Sequence, residues 1–138
     1  MAPAGYSGTP LARKLGIRPG ARVLLDGAPE GFADELGELP DGVELKRAAR
    51  GKAPFDVILL FAPDAAALER RLDERVARLG TAGGLWIAWP KKASGVATDL
   101  SGDAVRARGL ATGLVDNKVC AVDETWSGLR FVRRLADR

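Results

Sequence analysis

The sequence contains no histidine and only one cysteine, Cys120, in its 138 residues. Without histidine, no imidazole can activate a serine or cysteine nucleophile or bind a metal, so those forms of catalysis are excluded. One cysteine cannot form an internal disulfide or a multi-cysteine metal centre, and we predict no metal site. Because no histidine can activate its thiol, we interpret Cys120 as a small, buried, apolar side chain.

Aromatic residues are also few, at 6%, and no apolar run approaches the length of a membrane span. The first residues lack the basic and then apolar pattern of a secretory leader. The chain is nevertheless 46% hydrophobic, which at this length is enough for the core of one domain. We therefore expect a cytoplasmic protein with a flexible tail over residues 1–6 and a single domain over residues 7–138.

The net charge is +3, and a surplus this small argues against nucleic-acid binding through a general positive field. The charge is unevenly distributed along the chain. Residues 26–41 hold six acids and no base, and a basic connector that includes Arg47, Arg50 and Lys52 follows. We interpret this connector as a solvated segment rather than as a second anion site.

Hydrophobic patterning predicts an alternation of strands and helices. Residues 55–61 form the most apolar segment, as expected for a strand covered on both faces. Pro63 and Asp64 then start an amphipathic helix with Leu68 and Leu72 on its inner face. The other predicted elements are helices over residues 9–15, 32–39 and 101–108, and strands over residues 22–25, 43–47, 85–89, 118–122 and 129–132.

Such alternation predicts an α/β domain of three layers, with a mostly parallel sheet joined by right-handed crossovers. The last two strands are too close in sequence for a helical crossover. We therefore expect them to pair antiparallel.

Two segments resemble the class I methyltransferase fold, which is Rossmann-like. Residues 15–25 (LGIRPGARVLL) are similar to the lead-in to that fold's first strand, and residues 79–87 (LGTAGGLWI) to the Gly-Gly turn before its fifth strand. The resemblance implies a truncated six-stranded sheet without the family's third strand. Its order would be 2-1-3-4-6-5 in this chain's own numbering, with the last strand antiparallel.

Three further segments resemble hallmark segments of a bacterial family catalogued as domain of unknown function 3052. They are residues 6–11 (YSGTPL), 89–95 (WPKKASG) and 115–126 (VDNKVCAVDETW). Together they reach over almost the whole chain. The resemblance implies membership of that family and brings no activity with it.

In methyltransferases, a glycine-rich loop after the first strand approaches S-adenosylmethionine, and an acid ending the second strand binds the ribose. Gly27 and Gly31 match that loop, but Pro29 replaces its middle glycine. Asp26 is displaced by one residue from the usual acid, and the second strand ends at residues 46–48 without a carboxylate. Proline fixes φ and removes an N–H. The resemblance therefore implies a degenerate cofactor loop, and S-adenosylmethionine is disfavoured.

Open α/β sheets bind ligands at the edge where parallel strands end. That edge receives the loop after residues 85–89 and the turn after residues 118–122. Paired lysines beside serine and glycine are suited to holding a phosphate or carboxylate, tryptophan to stacking on a ring, and acids to orienting a ligand or acting as a base. The candidate ligand-binding residues are Lys91, Lys92, Ser94, Gly95, Asp123, Glu124, Trp126 and Ser127.

Our leading hypothesis is a non-catalytic or weakly catalytic protein that binds a small anionic ligand, such as a nucleotide, or a protein partner at this edge. One alternative is an S-adenosylmethionine-dependent methyltransferase. The other is a pure interaction module that dimerises through an exposed sheet edge. The sequence assigns no catalytic residue, no cofactor and no oligomeric state.

Overall fold

A computed structural model describes residues 10–138, so the predicted tail and Thr9, where the first predicted helix begins, lie outside the described residues. The helices are α1 (Leu11–Lys14), α2 (Phe32–Leu36), α3 (Ala65–Ala77) and α4 (Gly102–Leu110). The strands are β1 (Arg22–Asp26), β2 (Glu44–Lys46), β3 (Phe55–Phe61), β4 (Leu79–Pro90), β5 (Val115–Ala121) and β6 (Trp126–Val132). Short 3-10 turns occupy Lys92–Ser94 and Leu135–Asp137.

The six strands form one sheet in the order β2-β1-β3-β4-β6-β5. Strands β1 to β4 pair in parallel, whereas β6 is antiparallel to both of its neighbours, β4 and β5. The structure confirms the predicted α/β class, the strand order and the antiparallel last strand. Within residues 10–138, none of the helices combines the length and the apolar character needed to cross a membrane.

The sheet separates two apolar cores, because successive side chains of a strand point to opposite faces. Leu24 of β1 joins the core beneath α3 and α4, and Leu25 joins the core beneath α1 and α2. The fully buried Trp86 of β4 lies on the α1 side, where its indole Nε1 donates to the Leu15 carbonyl over 3.0 Å. This bond fixes the end of α1 on the sheet and completes a three-layer arrangement.

Helix α3 begins where the sequence predicts. The Asp64 side chain accepts a hydrogen bond of 2.8 Å from the Ala67 amide, which satisfies an amide at the helix N-terminus. Leu68 and Leu72 are buried against the sheet, as their spacing indicates. Asp64, which follows the carboxyl end of β3, therefore acts as the N-cap of α3.

Two predicted boundaries are wrong for reasons of glycine geometry. Helix α2 ends at Leu36 and does not reach Leu39, because Gly37 adopts φ +75°. Strand β4 begins at Leu79, so the predicted Gly-Gly turn is extended strand that pairs with β3 across a register shift. A Cβ on Gly83 would lie 2.9 Å from the Asp56 carbonyl oxygen, so glycine permits this close approach.

The closing hairpin is longer than predicted. Strand β5 begins at Val115 and β6 at Trp126, which leaves only a short turn between them. Trp126 and Ser127 are therefore part of β6 rather than of a polar loop. Both candidates are thereby placed on the rigid sheet.

Candidate functional site

The loop after β4 and the turn between β5 and β6 meet at one end of the sheet. The Lys91 amide donates a hydrogen bond of 2.8 Å to the Thr125 carbonyl. Pro90, the last residue of β4, pairs with Trp126, the first residue of β6. The two segments that carry the candidate residues therefore lie against each other at the carboxyl end of β4.

The turn between β5 and β6 is held by its own acid. The Asp123 carboxylate accepts hydrogen bonds of 2.8 Å from the amides of both Thr125 and Trp126. The Trp126 ring packs edge-on against Phe61 of β3, with ring centres 5.0 Å apart, and Phe61 packs in turn on Phe32. These contacts fix the direction of the Asp123 carboxylate and leave the Trp126 ring half-buried.

A cleft of about 1730 Å³ lies between this turn and helices α1 and α2. We call it the α1/α2 cleft. Four of the eight candidate residues line it: Lys91, Asp123, Glu124 and Trp126. The other four do not: Lys92, Ser94, Gly95 and Ser127.

Two of the residues outside the cleft use their polar groups within their own loop. The Ser94 hydroxyl donates to the Lys91 carbonyl over 2.7 Å and accepts from the Val96 amide. The Gly95 amide donates to the Lys92 carbonyl over 3.4 Å, and its φ of +77° ends the 3-10 turn. Their local bonds account for both residues, and a ligand contact with either stays a prediction.

Glu35 of α2 is a cleft residue that the sequence analysis missed. Its carboxyl group lines the α1/α2 cleft, as does the carboxyl group of Asp123. Partial burial, the negative charge of Asp123 and a hydrogen bond that protonated Glu35 can give to Asp123 raise the pKa of Glu35 to about 7. The charge of Glu35 therefore changes near neutral pH.

Basic residues also lie at the cleft. Cys120 packs against the core beneath α1 and α2, but it is half-buried rather than buried as predicted. This partial burial raises the pKa of its thiol, and the positive charges of Lys14, Lys118 and Lys91 partly offset that rise. Lys14 and Lys91 line the cleft, and the Lys118 ammonium donates to the Lys14 carbonyl over 3.0 Å. Lys14 and Lys91 therefore bring positive charge to a cleft that also contains the carboxyl groups of Glu35 and Asp123.

The acid after β1 does not face this cleft. Asp26 is 8% exposed, and its carboxylate is bound by Arg71 at 3.1 Å and Arg75 at 2.5 Å, both from α3. Leu25 packs on the α1/α2 side, and Asp26 follows it by one residue. Because side chains alternate along a strand, the one-residue displacement seen in the sequence turns the acid toward α3.

The glycine loop, residues 26–31, is covered by the same ion cluster. A Cβ on Gly27 would lie 2.9 Å from an Arg71 guanidinium nitrogen and 3.3 Å from the Phe61 carbonyl oxygen. Pro29 is the only residue of this loop that lines the α1/α2 cleft. The residues present therefore do not fit S-adenosylmethionine in the way the methyltransferase loop does, since the acid is turned away and the central glycine is absent.

No protein-family model matches the chain, and no curated protein matches it. Membership of the domain of unknown function 3052 family therefore stays a prediction. Solved structures, by contrast, match over most of the chain.

This chain is similar to the DhpI–SAH complex, with a TM-score of 0.63 and 13% identity over 91% of this chain and 83% of that one. It is similar to the ribosomal protein L11 methylase of Lactobacillus delbrueckii subsp. bulgaricus, with a TM-score of 0.59 and 13% identity over 90% and 75% of the two chains. It is also similar to a TehB-like SAM-dependent methyltransferase of Corynebacterium glutamicum, with a TM-score of 0.57 and 14% identity over 95% of this chain and 91% of that one. At such identities these neighbours show the fold alone. The fold is that of the class I S-adenosylmethionine-dependent methyltransferases.

Proposed function

We propose that this protein uses a methyltransferase fold to bind a small anionic ligand with a flat ring in the α1/α2 cleft. The observation that carries the proposal is the convergence of Lys91, Trp126 and the Glu35–Asp123 pair on one cleft. Ligand pockets typically combine an apolar surface with a few convergent polar groups. A cytoplasmic location and membership of the domain of unknown function 3052 family belong to the same proposal.

Each wall of the cleft has a distinct part in binding. Lys91, whose backbone is fixed by the Thr125 carbonyl, supplies a positive charge to the anionic group. The Trp126 ring, held by Phe61, offers a face to a planar group. The Glu35–Asp123 pair accepts hydrogen bonds from the ligand's donors and, when Glu35 is protonated, presents one negative charge instead of two.

The proposal is tested with adenosine monophosphate, which has a ring and an anionic group, by isothermal titration calorimetry. Lys91→Ala should weaken its binding about two- to fivefold, the usual effect of losing one partly exposed charged contact. Lys92→Ala is the matched control, because it removes the same charge from the next residue, outside the cleft. Equal affinities for the two variants, or no binding of the nucleotide by the wild type, would contradict the proposal.

A second candidate function is S-adenosylmethionine-dependent methyl transfer, which the fold supports. Its test is the melting temperature with S-adenosylhomocysteine at millimolar concentration. A ligand present at 100 times its Kd stabilises the native state by about 2.7 kcal/mol, which a thermal melt detects readily. A clear rise would favour the methyltransferase function, whereas an unchanged melting temperature beside measurable nucleotide binding would favour the non-catalytic one.

A further inference from the structure

A second cavity, of about 620 Å³, lies where the basic connector joins β2 to β3. We call it the connector cavity. Its lining includes four basic residues and no acidic one. The lining residues are Arg22, Leu45, Lys46, Arg47, Ala48, Arg50, Gly51 and Phe55.

Three of the four cations in this cavity are uncompensated. Arg22 forms an ion pair of 2.8 Å with Glu44, so its charge is balanced. Lys46, Arg47 and Arg50 are exposed, and within residues 10–138 no carboxylate forms an ion pair with any of them. The first nine residues contain no acid that could supply a partner.

The connector beneath these cations is held in place from α3. The Arg78 guanidinium donates to the carbonyls of Ala49, Arg50 and Ala53 at 2.8, 3.2 and 2.7 Å. The same guanidinium lies over the Phe55 ring, 5.1 Å from its centre. Because these hydrogen bonds hold the connector backbone, the basic side chains extend from an ordered segment. This order reduces the entropy cost of bringing them to one ligand.

Contrary to the interpretation of the connector as a solvated segment, we propose that the connector cavity binds an anion with several negative charges, of the polyphosphate class, between Lys46, Arg47 and Arg50. A single carboxylate would balance one of the three cations, whereas a chain of phosphoryl groups balances all three. Arginine also presents paired donors that match phosphate oxygens. This site is separate from the α1/α2 cleft, and its lining shares no residue with it.

The test measures binding of inorganic tripolyphosphate at low salt by calorimetry. The double variant Arg47→Ala/Arg50→Ala should bind about tenfold more weakly, because it loses two charged contacts. The matched control, Lys52→Ala/Arg70→Ala, removes the same charge from exposed positions outside the cavity and should keep the wild-type affinity. Melting temperatures of both variants confirm that the fold is intact.

Adenosine triphosphate identifies the source of the phosphoryl groups. Tighter binding of the nucleotide than of tripolyphosphate, lost in Arg47→Ala/Arg50→Ala and kept in Lys91→Ala, would indicate a nucleoside polyphosphate. Equal binding would indicate free polyphosphate. Equal weakening by the two double variants, or no binding of tripolyphosphate by the wild type at millimolar concentration, would overturn the proposal whatever the α1/α2 cleft binds.

Discussion

Replacing Asp26 by asparagine removes one negative charge from the ion cluster below the glycine loop and changes the side-chain shape very little. The Asp26 side chain is 12% exposed, and its partners Arg75 and Arg71 are 17% and 40% exposed. Removing one partner of a fully buried ion pair costs about 3–5 kcal/mol. Because water reaches Arg71, we expect Asp26→Asn to reduce the free energy of unfolding by about 2–3 kcal/mol, which is below that range.

Urea denaturation measures this loss directly, as a lower midpoint with an unchanged slope. The control is Glu69→Gln, which removes an acid from the exposed pair with Arg108 and should cost less than about 1 kcal/mol. Arg75→Met alone should also destabilise, and the double variant Asp26→Asn/Arg75→Met should lose less than the sum of the two. A loss for Asp26→Asn no larger than that for Glu69→Gln would refute the structural role of Asp26.

Two further predictions concern α4 and the cleft. Gly109→Ala places a Cβ 2.2 Å from the Phe131 ring, so we expect a lower melting temperature and a loss of about 1–3 kcal/mol, whereas Gly102→Ala, with its nearest contact at 3.5 Å, should be tolerated. The pKa of Glu35 is raised from 4.5 to about 7, which means that the folded protein favours the protonated carboxyl group. The stability that protonated Glu35 contributes is therefore complete below about pH 4.5 and is lost as the pH rises through 7. Because Glu35 is only partly buried and much of it remains exposed, solvent screening limits this loss to about 1 kcal/mol. Glu35→Gln should flatten the pH profile of urea midpoints, and an unchanged profile would contradict the coupling between Glu35 and Asp123.

Strand β3 and helix α3 could be predicted because the strongest sequence signals are local. The apolar run of β3 and the cap and inner face of α3 are each recognised from a few neighbouring residues. The order of the strands, by contrast, was implied by the resemblance to the methyltransferase fold. The boundaries of β4 could not be predicted. Gly80 and Gly83 are typical of a turn, and only the approach to the β3 backbone shows why a strand needs them.

The candidate site was predicted in part for the same reason. Lys91 and Trp126 could be placed together because each follows or starts a strand at one edge of the sheet. The contact between Glu35 and Asp123 could not, because it depends on how far α2 extends before Gly37 ends it. The partners of Asp26, Arg71 and Arg75, likewise lie in α3, too far along the sequence for a local pattern to indicate the contact.

Among residues 10–138, no strand pairs with the outer side of the seven-residue β5, and Val119 of β5 is 67% exposed. The unpaired N–H and C=O groups of such an edge strand can pair with a strand of another chain, which is a common route to aggregation. Lys118 stands beside Val119, anchored through its ammonium to the end of α1. Because desolvating an ammonium is costly, we expect Lys118 to oppose the pairing of a second sheet with β5.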